Sequence, residues 1–275
     1  MTVEAFDRVQ LDGTGIDRIT EAEVVAVVRE ALARGRGGRI LTPNVDILRR
    51  AQGDAECRRH FDDADLIVAD GMPLVWASRL SGSPLPERVA GSSLIWSLSA
   101  GLGRDGRSIF VLGGCPTAAA ALSDAALSAA ALSDGATRAA GRLLGECPGL
   151  RVAGTACPPF GFDEDPIAYD DVCAKVIDAH PDLVFVGLGY PKQERMVTRL
   201  RAELPRTWFL GCGAAVNFVA GDVDRAPRWM QRTGLEWAHR LGTEPRRLAG
   251  RYLRHDAPYA LRLLARAPSQ RARAR

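Results

Sequence analysis

Across 275 residues no uninterrupted apolar run approaches the roughly 20 residues that a membrane span requires, so no segment reads as a transmembrane helix. The opening, MTVEAFDRVQLDG, lacks a basic start followed by an apolar core, which argues against a secretory signal. Both absences predict a chain made and kept in the cytoplasm. Six cysteines (Cys57, Cys115, Cys147, Cys157, Cys173, Cys212) contain no C-x-x-C pair, which argues against a zinc ribbon or a redox pair and reads them as reduced, mostly buried small residues. The full G-x-G-x-x-G fingerprint, a Walker A loop and a G-x-S-x-G elbow are all missing. The four histidines (His60, His180, His239, His255) do not pair at ligand spacing, and each reads as a surface or core residue. Carboxylates are therefore the bases at hand.

What is present begins with an uneven distribution of charge. The net charge is only +3, yet from Asp222 onward there are thirteen arginines, no lysine and five acidic residues, a surplus of +8 that leaves residues 1–221 at −5. The expected organisation is a mildly acidic core over 1–221 and a basic arm over 222–275. A basic arm suits an anionic membrane surface or a nucleic acid; no nucleic-acid module accompanies it, so no nucleic-acid partner is expected.

Along the core, short apolar strands such as GGRIL, LIVAD, SIFVLGG, DLVFVGLG and TWFLGCG alternate with helical patterns such as TEAEVVAVVREALARG and KQERMVTRL. That alternation predicts an α/β fold: a Rossmann-like, mostly parallel sheet with helices on both faces, plus a basic helical C-terminal appendage. The alanine-rich stretch CPTAAAALSDAALSAAALSDGATRAAG reads as helix without chemistry. In such sheets ligands gather at the carboxyl ends of the strands, which places Asn44, Asp70, Gly113, Gly187, Gly189, Gly211 and Gly213 at one rim. The glycine turns LGG, GLGYPKQE and GCGAAVNF suit an anionic ligand, although glycines also simply close tight strand-to-helix turns.

D-x-D occurs as Asp63/Asp65, Asp163/Asp165 and Asp222/Asp224. A metal-holding pair belongs directly after a buried strand, whereas the first precedes its strand, the second lies in a Pro-rich loop and the third runs into Arg225, which is placed to neutralise it. No metal is expected. Asp70 is different, because the four apolar residues Leu66 to Ala69 run straight into it and Gly71 allows a substrate close to the backbone. A partly desolvated aspartate is a better proton acceptor near neutral pH. The same aspartate is also placed to cap the helix that begins at Met72 and Pro73.

The blocks TPNVDIL, ADGMPLVWASRLSGSPLPERVAGSSL, FVLGG, PPFGF, PDLVFVGLGYPKQE, GCGAAVNFVAGDVDRAPRWMQRTGLEW and RLGTEPRRL resemble, in order and nearly in spacing, the WecG/TagA/CpsF glycosyltransferases from about residue 10 to residue 255. The resemblance implies an inverting, metal-independent enzyme without a cofactor. It would move a hexose, N-acetylmannosamine first among them and glucose or N-acetylmannosaminuronate as alternatives, from a UDP-sugar to an undecaprenyl-diphosphate-linked acceptor. It also implies work in teichoic acid or surface polysaccharide assembly, on the inner face of the plasma membrane. By the same resemblance Asp70 is the base, with Arg88 and Gln193 in the catalytic set, while Thr42, Asn44 and the arm's Arg240 and Arg247 face substrate; Asn217, in the GCGAAVNF turn, is a further candidate for binding substrate. A third arm arginine is displaced, since Gly250 stands at its place and Arg251 one residue on.

In the arm, Leu248, Tyr252, Tyr259, Leu261, Leu263 and Leu264 interleave with arginines as an interfacial helix would have them, and the terminal SQRARAR reads as disordered. A homo-oligomer stays open. Two rival readings remain: a nucleotide-dependent oxidoreductase or epimerase, which the missing dinucleotide fingerprint disfavours, and a non-catalytic membrane-surface scaffold.

Overall fold

The computed structural model describes residues 6–114, 134–243 and 245–273. Cys115 and the alanine-rich stretch as far as Ser133 lie outside the described residues; the end of that stretch opens the helix Gly135–Glu146. Eight strands run through the described part: β1 (Arg8–Leu11), β2 (Thr14–Asp17), β3 (Gly38–Leu41), β4 (Leu66–Ile67), β5 (Ser108–Gly113), β6 (Arg151–Ala156), β7 (Leu183–Gly187) and β8 (Trp208–Gly211). The chain divides into two compact units, one built from Ala22–Ile40 and Gly91–Asp224, the other from Val3–Glu21, Leu41–Ala90 and Arg225–Arg275.

In the first unit β3, β8, β7, β5 and β6 lie side by side in that order, every neighbouring pair parallel. Phe110, Leu112, Val184, Val186 and Phe209 cluster with Val172, Val176, Met196, Val197 and Leu200 from the helices Pro166–Ala179 and Lys192–Glu203. The intervening Ile109, Val111, Leu183, Phe185, Trp208 and Leu210 are fully buried as well. Successive strand residues point to opposite faces, so both faces of this sheet are covered. That is why LVFVG and WFLG carry no polar alternation, and it is the parallel α/β architecture the sequence predicts. At the carboxyl ends β5 and β7 approach so closely that a Cβ on Gly113, whose φ is +116°, would meet the Gly187 carbonyl oxygen at 2.6 Å.

The second unit opens with an antiparallel hairpin of β1 and β2, joined by Asp12 and Gly13 at φ +49° and +79°. An Asp-Gly pair between strands is a strong hairpin signal. The buried Asp17 closes this unit's interior: Oδ1 accepts from Arg8 Nε at 2.8 Å and Oδ2 from the Ile67 amide at 2.6 Å. Only Leu66 and Ile67 of LIVAD form strand; Val68 to Asp70 are neither helix nor strand.

Three expectations are corrected here. Leu248, Tyr259 and Leu263 of the arm are buried in the second unit's core, and the Tyr259 hydroxyl donates to Asp12 Oδ2 at 2.9 Å. Apolar area already removed from water is not available to a membrane, so the interfacial reading narrows to exposed residues such as Leu253 and Leu261. The last helix, Ala257–Arg273, runs on through most of SQRARAR. Among the cysteines, Cys57, Cys147, Cys173 and Cys212 are free as expected, but Cys157 is disulfide-bonded.

Candidate active site

In the second unit, backbone hydrogen bonds lace three distant segments together. Val68 N–H donates to the Leu41 carbonyl (2.9 Å), Asp70 N–H to the Pro43 carbonyl (3.0 Å) and Val89 N–H to the Ala69 carbonyl (2.9 Å). Thr42-Pro43-Asn44, the Asp70 corner and Arg88 are thereby neighbours. Asp70 itself is half-buried. The capping reading of Asp70 fails, because the N-cap of the helix Met72–Leu80 is Gly71. Gly71 is extended, and a Cβ there would make only ordinary contacts at 3.8 Å and beyond, so open space rather than crowding marks this position. Thr42 is buried, while Asn44 is half-buried and caps the helix Val45–Ala51 through Oδ1, which accepts from the Ile47 amide at 3.1 Å. Its carbonyl is thus engaged in a cap, and its amide Nδ2 is the end suited to a ligand.

Arg88 does not stand alone. Its Nη1 donates to Glu236 Oε2 at 2.9 Å, and Arg225 Nε donates to Glu236 Oε1 at 3.2 Å. Burial pushes the Glu236 carboxyl up, but the charges of Arg225 and Arg88 and the bonds they donate outweigh it and hold the group below the ordinary glutamate range. Two guanidiniums on one carboxylate leave a net positive charge. Arg240 sits one helical turn beyond Glu236 in the helix Glu236–Thr243, on the same face, and its buried Nε has no hydrogen-bond partner. Arg247 lies in the helix Pro245–Arg251; its side chain is outside the described ones. Glu236 and Arg225 stand in the quoted blocks GLEW and DVDRAP, but no charge pairing between segments so far apart is readable from sequence.

In the first unit the rim glycines divide. Internal packing accounts for three: a Cβ on Gly113 would strike Gly187, one on Gly187 would lie 2.6 Å from Val216 Cγ2, and one on Gly211 would lie 2.6 Å from Gln193 Nε2. Gly189 and Gly213 instead have positive φ, with no atom closer than 3.9 Å to an added Cβ. Gln193 is buried at the start of the helix Lys192–Glu203, and its Oε1 accepts from the Gly213 amide at 3.1 Å. Asn217 is half-buried in the short helix Ala215–Ala220. Burial pushes the Cys212 thiol up to about 12, so this residue stays protonated at neutral pH and is no nucleophile.

Loop roles take up much of the D-x-D carboxylate. Asp163 accepts from Lys192 Nζ at 2.6 Å, Asp165 caps the helix Pro166–Ala179, and Asp222 pairs with Arg138. Among the described residues no three His, Cys, Asp or Glu side chains gather where they could hold a metal ion.

A family model for the glycosyl transferase WecG/TagA/CpsF family matches residues 9–273. A Bacillus spizizenii N-acetylglucosaminyldiphosphoundecaprenol N-acetyl-beta-D-mannosaminyltransferase is 30% identical over 216 residues, covering 78% of this chain and 75% of that protein. The protein of the same description from Bacillus subtilis is 29% identical over 209 residues, covering 76% and 73%. No helix among the described residues is long and apolar enough to cross a membrane. With a match over nearly the whole chain, and with the T-P-N stretch, the Asp70 corner and Arg88 drawn together by backbone hydrogen bonds, the chain belongs to the WecG/TagA/CpsF family of glycosyltransferases.

Proposed function

We propose that this glycosyltransferase moves N-acetylmannosamine from its UDP derivative to N-acetylglucosaminyl-diphosphoundecaprenol, with inversion and without a metal. The observation that carries the reading is the Asp70 corner: a half-buried carboxylate at the end of an apolar run, laced to the polar Thr42–Asn44 stretch and to the segment bearing Arg88. The substrates are those named for the two Bacillus relatives.

In the proposed reaction an acceptor hydroxyl attacks the anomeric carbon from the face opposite the nucleotide. Its proton passes to the Asp70 carboxylate as the new C–O bond forms. The bond from the anomeric carbon to the β-phosphate oxygen breaks, and UDP departs with the electron pair. Negative charge grows on the diphosphate and is met by cations rather than a metal: Arg88, already beside Arg225, and Arg240 with its unpartnered Nε. Thr42 and the Asn44 amide suit sugar hydroxyls or the acetamido group.

The decisive test incubates the purified chain with a panel of UDP-sugars and a short-chain diphosphate-linked N-acetylglucosamine. Turnover with the N-acetylmannosamine donor that persists in EDTA is expected. Turnover only with another hexose overturns the donor assignment, and turnover abolished by EDTA and restored by a divalent cation overturns the metal-free mechanism.

The arm is proposed to rest on the anionic inner face of the plasma membrane through its arginines and the exposed Leu253 and Leu261. Deleting the arm is a poor test, because Leu248, Tyr259 and Leu263 are core residues. Leu253→Ser with Leu261→Ser should instead reduce co-sedimentation with phosphatidylglycerol vesicles several-fold while leaving the melting temperature unchanged. Unchanged sedimentation removes these two leucines from the proposal.

A further inference from the structure

One fully buried ion pair has no part in the transfer chemistry described so far. Arg39 and Glu194, with side chains 1% and 2% exposed, meet through Nη2 and Oε2 at 2.6 Å. Burying two charges costs more than a well-packed apolar pair of the same size usually would, so stability alone gives a weak reason for them. The other carboxylate oxygen is more informative: Glu194 Oε1 accepts from Gln193 Nε2 at 2.9 Å. At the amide's opposite end Gln193 Oε1 accepts from the Gly213 amide at 3.1 Å. A backbone N–H can only donate and a carboxylate can only accept, so the two ends of the Gln193 amide are not interchangeable; a flipped amide would set oxygen against carboxylate and NH₂ against N–H.

Two further contacts fit the same arrangement. Arg39 Nη1 donates to Thr198 Oγ1 at 3.3 Å, and that hydroxyl donates to the Glu194 backbone carbonyl at 3.0 Å, tying the pair to the helix one turn on. At the end of β8, a Cβ on Gly211 would fall 2.6 Å from Gln193 Nε2 and 2.7 Å from Glu194 Oε1. The glycine there leaves room for the clamp rather than for a ligand.

We infer that Arg39 and Glu194 are positioning residues that lock the Gln193 amide in one orientation, hold the Gly211–Gly213 turn through it, and fix at which end its remaining Nε2–H and at which end its remaining Oε1 lone pair are offered to the substrate. In that orientation an acceptor oxygen, such as one of the diphosphate or of a sugar, is met from the Nε2 end of the amide and a donor only from the Oε1 end. This inference rests on the proposed reading of Gln193 as part of the site.

The test is a mutant cycle on the full chain. Removing one charge strands the other, so the pair is changed together, Arg39→Met with Glu194→Leu, and compared with Gln193→Ala and with all three changes combined. The paired change is expected to lower kcat/KM by about 10- to 100-fold, the scale found when groups that orient functional side chains are lost. Gln193→Ala should lower it at least as much, and the combination should fall no further than Gln193→Ala alone, within about twofold. Effects that multiply make the pair a structural element only and overturn the inference, as does an unaffected paired variant. If Gln193→Ala keeps full activity, Gln193 leaves the site and the inference falls with it, whereas loss of turnover in Asp70→Asn still upholds the transferase reading. A readout on the unaltered protein guards against misfolded variants. The Gln193 Nε2 protons should be strongly protected from exchange with solvent; exchange as fast as that of an exposed glutamine side chain overturns the clamp.

Discussion

Asp70→Asn is expected to lower kcat by about 10² to 10⁴ while leaving nucleotide affinity and melting temperature close to those of the unaltered chain. Asparagine keeps the size and the hydrogen-bonding oxygen of the side chain and removes only its ability to take a proton. The backbone bond from Asp70 N–H to the Pro43 carbonyl is untouched, so the corner should persist. The comparison is sharp because asparagine and aspartate are equally good helix caps. Had Asp70 served merely to start the following helix, activity would survive; since Gly71 holds that position, the activity should not. Steady-state kinetics with the N-acetylmannosamine donor and calorimetry on the same preparation measure both halves. Retention of more than about a tenth of the activity removes Asp70 as the base.

Arg88→Ala should cost about 10² to 10³ in kcat, the usual scale for losing one preorganised donor to developing negative charge. It should also destabilise the second unit, since Glu236, with its side chain 12% exposed, would keep only Arg225 at 3.2 Å. Glu236→Gln separates the two effects. It should retain far more activity than Arg88→Ala, because both guanidiniums remain, yet lose stability at neutral pH. The sign follows from linkage: Arg225 and Arg88 hold the folded-state carboxyl below its unfolded value in spite of burial, so its contribution is present above the ordinary glutamate range and is lost as pH falls through the depressed value. Urea titrations of the unaltered and Glu236→Gln chains should therefore differ at pH 7 and converge in acid, once the pH has fallen through the depressed value. A stability gap that is constant with pH excludes Glu236 from the charge balance around Arg88.

With both guanidiniums on Glu236, the local charge is that of a partly neutralised cationic cluster. Arg88 is thereby held in place, which in the proposed reaction would spare the ordering cost of a free arginine side chain. The rival oxidoreductase reading ends with the family assignment and the scaffold reading with it, because the chain is a glycosyltransferase.

Much of this molecule was open to reading from the residues in order. Apolar runs such as LVFVG and WFLG, buried on both faces, fixed a parallel sheet because only a sheet covered on two sides removes every residue of the run from water. Local spacing likewise marked Asp70, where an apolar run stops at a carboxylate, and the family blocks named Arg88 and Gln193. Tertiary structure alone decided what those residues touch. That Asp17 anchors the Ile67 amide, that Glu236 joins Arg88 to Arg225, and that Arg39 reaches Glu194 across 155 positions all depend on how distant segments fold back. The arm shows the same limit: its period of leucines and tyrosines looks alike whether the partner is lipid or protein, and only the packed unit shows that Leu248, Tyr259 and Leu263 already have their cover. Hydrophobic pattern and turn chemistry are local and so are written in sequence. Charge pairing, burial and the handing of one hydrogen bond to the next are long-range, and they exist only once the chain has closed on itself.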